Sequence, residues 1–153
     1  MRLRLLITAS AALACAALLA CPATVVAGES LEAGFAAVEI TPALDGKPVY
    51  LAGFGNNRRA RGVHDELYSR AVVLRHGKER VAIVSVDLVG LQYPAVKAIR
   101  AKLPEFTYVL VSSTHNHHGP DVIGIWGKNW LRRGADDDYI ATVVERVADS
   151  VRQ

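Results

Sequence analysis

Cysteine is almost absent from this chain. Cys15 and Cys21 are the only two, and both lie in the first 27 residues, so removal of that segment leaves no thiol. A disulfide, a cysteine nucleophile and a thiolate metal site are then excluded. A bilayer-spanning run is lacking too, because the apolar stretch from Leu5 to Ala20 falls short of the roughly 20 residues a spanning helix needs. Aromatic residues make up 7% of the sequence, and none interleave with the basic knot Arg58-Arg59-Ala60-Arg61, so a nucleic-acid footprint is missing. The knot reads as a solvated loop, with an anionic-headgroup contact as the alternative.

What the first residues do contain is an export signal. Met1-Arg2-Leu3-Arg4 is a basic n-region, Leu5 to Ala20 an apolar h-region, and Val25-Val26-Ala27 a small-residue cleavage site before Gly28. Residues 1–27 are read as a signal peptide and 28–153 as the domain, which implies a periplasmic or secreted protein. Leu18-Leu19-Ala20-Cys21 also resembles a lipobox, with Cys21 the lipidated residue, but Leu19 and Pro22 are unfavoured there. Without Arg2 and Arg4 the formal net charge drops from +3 to +1, so the basic balance is largely a targeting feature.

The remainder alternates between strand and helix patterns. Strands are predicted at Ala33–Thr41, Pro48–Ala52, Tyr68–Arg75, Arg80–Leu88 and Phe106–Ser113, with a hairpin turn at His76–Glu79 and a helix over Tyr93–Leu103. Asp136-Asp137-Asp138 is read as the start of a last helix rather than a metal cluster, since acids complement a helix N-terminus. That helix carries an apolar stripe, Ile140, Val143, Val144, Val147 and Val151, with no following element to cover it. The fold class is α/β, a mixed β-sheet with flanking helices.

Ser112-Ser113-Thr114-His115-Asn116-His117-His118-Gly119-Pro120-Asp121 puts three of the five histidines within four residues after an apolar strand. On an extended backbone His115 and His117 share a side and His118 faces away. Two imidazoles on one side can share an ion, but a catalytic zinc takes about three protein ligands. The apolar stretch Val122–Trp126 that follows would suit an acyl substrate.

Five segments, in order, resemble the N-terminal part of the neutral/alkaline, non-lysosomal ceramidase family. They are Ala33–Pro42 (A-G-F-A-A-V-E-I-T-P), Leu51–Gly55 (L-A-G-F-G), Gly62–Ala71 (G-V-H-D-E-L-Y-S-R-A), Val84–Leu88 (V-S-V-D-L) and the histidine segment. The resemblance implies a zinc amidase that splits ceramide, a lipid-like N-acyl substrate, into sphingosine and fatty acid, with contact to a membrane surface. It implies that His115 is the first zinc ligand of an H-x-H motif. It makes His117 the catalytic neighbour that binds or polarises the substrate. Asn116 stands where the family usually has threonine, and His118 where a small residue is commoner. The family's other ligands, a histidine, a glutamate and a tyrosine, come from farther along a longer chain, and Glu145 does not match that glutamate by motif. The chain therefore reads as an incomplete N-terminal portion of a larger catalytic domain, inactive by itself. The alternatives are a non-catalytic truncated product or small periplasmic binding module, and another metal-dependent hydrolase of lipid esters.

Four further residues are candidate neighbours of the site. His64, with Asp65 and Arg70, would make a carboxylate–histidine arrangement behind a metal or a plain loop ion pair. Asp87, ending an apolar strand, needs an ion or a partner such as Arg70. His118 leans towards a structural role.

Overall fold

The computed structural model describes residues 28–153; residues 1–27, where the sequence predicts a signal peptide and where Cys15 and Cys21 fall, lie outside the described residues. Strands β1 (Leu31–Glu39), β2 (Tyr68–His76), β3 (Glu79–Val86) and β4 (Tyr108–Ser113) lie side by side in that order. The first two pairings are antiparallel and β3–β4 is parallel. Connection length explains the mixture. Between β2 and β3 the turn is tight, with Gly77 at φ +57°, whereas the parallel return from β3 to β4 passes through helix α1 (Tyr93–Ala101).

Strand alternation sorts the side chains into two faces. Ala71, Ala82, Val84, Val86 and Val109 are buried beneath α1 and a second helix, α2 (Asp137–Arg152). The opposite face carries a row in register across all four strands, Phe35, Val72, Ile83 and Leu110. No helix covers that row among the described residues, and Phe35, Ile83 and Leu110 are exposed.

Helix α2 begins where the three aspartates stand: the Asp136 carboxylate accepts from the Asp138 N–H, and Asp137 and Asp138 occupy the first turn. Its apolar stripe is covered after all, with Val143, Val144, Val147 and Val151 buried against the sheet and α1. Between sheet and helix, the buried hydroxyls of Ser69 and Ser150 bond each other at 2.9 Å, which satisfies both. Tyr139 OH and the Arg146 guanidinium donate to the carbonyls of Ile40 and Glu39 at 2.7 and 2.6 Å. They tie α2 to the end of β1. Burial raises the Tyr139 phenol pKa, so it stays a donor.

One predicted strand stays outside the sheet. Pro48–Ala52 pairs locally instead, Ala60 N–H donating to Val49 O at 2.9 Å and Leu51 N–H to Arg58 O at 2.8 Å. Its remaining bonds go to the histidine segment, Ala52 N–H to Gly119 O at 3.1 Å and, in return, Asp121 N–H to Tyr50 O at 2.7 Å. Those partners use up the backbone groups a sheet would need.

Candidate metal and substrate site

The site forms beyond the C-terminal ends of the parallel pair β3–β4, where the chain leaves each strand. Thr114 N–H donates to Val86 O at 3.0 Å and Asn116 N–H to Leu88 O at 3.2 Å, so the histidine segment runs along the residues that follow β3. The chain bends sharply there. His115 has φ +61°, a left-handed conformation that costs a side chain with a Cβ. The rings of His115 and His117 do meet, with centroids 4.7 Å apart and planes at 89°. The cause is this bend rather than the alternation of an extended strand.

Each ring is held by a backbone carbonyl. His115 Nδ1 lies 2.7 Å from Val89 O and His117 Nδ1 3.2 Å from Ala52 O. A carbonyl can only accept, so each Nδ1 bears the proton and donates. In the neutral ring that leaves a lone pair on each Nε2, the state a metal ligand requires. His115 is exposed and His117 half-buried.

Glycine is what lets His117 reach its carbonyl. Gly53 has φ +85°, and a Cβ built there would lie 2.1 Å from His117 Nδ1. The neighbouring Phe54 ring sits 5.4 Å from the His117 ring, and Trp126 sits 6.2 Å away on an edge-on contact. Arg58 stacks over Phe54 at 5.2 Å and donates to Gly53 O at 3.0 Å.

Asp121 shapes the apolar loop beside the pair. Its carboxylate is buried and accepts from the N–H groups of Ile123, Gly124 and Trp126 at 3.0, 2.7 and 2.9 Å. The charge is thereby paid for in hydrogen bonds. Neither Gly53 nor Asp121 stands out by residue type. The signal for Asp121 was its place as the one acid before an acid-free apolar stretch.

The four other candidates divide into two groups. Asp87 and Arg70 bind each other at 2.6 Å, and Asp87 also accepts from Tyr68 N–H at 3.0 Å, so its charge is satisfied at the root of β2. His64 pairs with Asp65 at 2.7 Å in the open, a loop ion pair that raises the imidazole pKa. With His118 and Asn116 it lines a cavity of about 460 Å³, walled also by Leu51, Val63 and Leu67, to which neither His115 nor His117 contributes. Asn116 closes the local turn by accepting from His118 N–H at 2.8 Å.

Neutral, carbonyl-oriented imidazoles suit zinc in donor chemistry. In number they supply two donors, and among the described residues no group of three or more His, Cys, Asp or Glu is arranged to hold a metal ion.

No protein-family model matches the chain, and no curated protein matches it in sequence. Solved structures match it in shape. A ceramidase complexed with C2 and the neutral ceramidase from Pseudomonas aeruginosa each superpose with a TM-score of 0.64 and 18% identity over 81% of this chain. The chain spans 21% of the length of each. Residues 28–153 thus have a ceramidase-like α/β fold, corresponding to part of the larger domain seen in those proteins.

Proposed function

We propose that this chain is the histidine-bearing N-terminal part of an exported, zinc-dependent amide hydrolase acting on a ceramide-type N-acyl lipid. The observation that carries the reading is the pair of adjacent imidazoles, each with Nδ1 engaged by a carbonyl and Nε2 left free, at the strand ends of a ceramidase-like fold. His115 would hold the metal through Nε2, with Val89 O fixing its ring. Zinc bound there would lower the pKa of a water towards about 7 and polarise the amide carbonyl.

His117 has the complementary task. With Nδ1 bonded to Ala52 O, neutral His117 presents Nε2 as a proton acceptor to the attacking water. Once that proton has arrived both nitrogens donate, and Nε2–H serves the developing oxyanion or the leaving amine. Phe54 and Trp126, which flank His117, offer an apolar approach for an acyl chain.

The test is hydrolysis of a fluorogenic short-chain ceramide by the larger protein of which this chain would be the N-terminal part, not by the 153-residue chain alone. Loss of hydrolysis on chelation, recovery with zinc and abolition by His115→Ala are expected. Hydrolysis that survives both chelation and His115→Ala overturns the reading. A protein that binds zinc but hydrolyses neither the amide nor the matching ester supports the non-catalytic binding module instead.

A further inference from the structure

We propose that the open face of the β-sheet is where two copies of this chain dimerise, packing face to face into a two-sheet sandwich. Two apolar rows cross that face. Beside Phe35, Val72, Ile83 and Leu110 runs a second row, Ala33, Leu74, Val81 and Tyr108, again one residue from each strand in register. Phe35 is 77% exposed and Tyr108 51%. Water therefore meets apolar surface across the width of the sheet, and association would remove it.

The face is large enough for a second copy. Four strands about 4.8 Å apart and about eight residues long make a flat footprint of about 500 Å², so two copies would bury about 1,000 Å² before the relief of the side chains is counted. That reaches the extent a specific interface needs.

Register and charge select the orientation. A two-fold axis parallel to the strands, between β2 and β3, lays β2 over the partner's β3 and β1 over the partner's β4 while keeping each row opposite itself. Val72 then faces the partner's Ile83, Leu74 the partner's Val81 and Phe35 the partner's Leu110. The polar positions agree as well. His76, level with Glu79 in the register of β2 and β3, faces the partner's Glu79, and Arg70, level with Ser85, faces the partner's Ser85. An axis across the strands, between the two apolar rows, would instead set His76 against the partner's Arg70. Only the first axis meets apolar with apolar and brings no two basic side chains together. It also gives the aligned stacking that the twist of two packed sheets favours.

The interface includes neither the histidine pair nor a metal, so its test is independent of hydrolysis. The 153-residue chain, in EDTA, is followed by sedimentation velocity over a range of concentrations. A dimer half-formed at roughly micromolar concentration is expected. F35K and L110E are each expected to raise the dissociation constant by about tenfold or more, with circular dichroism showing both variants folded. An equal mixture of the two is expected to recover much of the affinity, because the lysine of one copy then meets the glutamate of the other. Pairing of β1 with β1 edge to edge would leave L110E dimeric, and that result overturns the proposal. So does a dimer that survives both variants, or a mixture that stays monomeric. A wild-type chain still monomeric at about a hundredfold higher concentration also overturns it, and leaves the face to residues of a longer protein.

Discussion

His117 Nδ1 occupies the space that a Cβ on residue 53 would need, 2.1 Å from its ideal position. His117 and Gly53 are therefore one device, the glycine making room and the imidazole filling it. Gly53→Ala forces either the ring or the loop to move. Its left-handed backbone, at φ +85°, adds strain of its own. A loss of about 1–3 kcal/mol in stability is expected by urea unfolding, and a fall in zinc affinity of about tenfold or more by calorimetry.

His115 is the test of the metal. Zinc binding by the 153-residue chain is expected to be weak, since two imidazoles form an incomplete shell, and to drop further in His115→Ala. Turnover of a fluorogenic ceramide by this polypeptide is expected to be little or none. Robust hydrolysis by it, lost in His115→Ala, would contradict the assignment of the remaining ligands to residues beyond this stretch.

Asp121 holds three backbone N–H groups that have no other partner among the bonds described. In Asp121→Asn the carboxylate becomes an amide, weakening every charge-assisted bond and turning an NH2 towards donors. A cost of about 2–3 kcal/mol is expected as a lower urea midpoint at unchanged slope. Trp126, whose N–H is one of the three, reports the loop's loosening by its fluorescence.

His64 provides the pH dependence. Its pKa is raised, chiefly by the hydrogen bond to Asp65 and then by that carboxylate's charge. A raised folded-state value means the pair favours the folded state fully below the unfolded-state pKa and loses that contribution as pH rises through the folded-state one. Full exposure of both groups keeps the effect on stability small. Titration of the His64 ring by NMR is expected to show a midpoint above that of a free imidazole, returning to it in Asp65→Asn.

Much of the fold is legible in the chain because its determinants are local. The turn glycine at 77, the proline in the first turn of α1 and the acids opening α2 each act within a few residues, and β2, β3 and β4 begin and end within about two residues of their predicted bounds. Pro48–Ala52 is extended as its sequence suggests but stays outside the sheet, forming only isolated bridges from Tyr50 to Arg59 and from Leu51 to Pro120; no alternation pattern encodes those partners. The histidine pair is similarly divided. Residue type and spacing mark it out, but the carbonyls that orient the rings lie 26 and 65 residues away along the chain, and the bend at His115 runs against what its side chain prefers.

That bend has a cost in folding that function would have to repay. Phe54, Asn57 and His115 are the residues other than glycine with positive φ among those described, and all three belong to the loops around the pair. A histidine held left-handed at φ +61° gives up about 1 kcal/mol that asparagine, at home in that conformation, would largely recover. His115→Asn is thus expected to melt at an equal or higher temperature while losing the imidazole, a trade between durability and chemistry that is characteristic of positions kept for what they do rather than for how they fold.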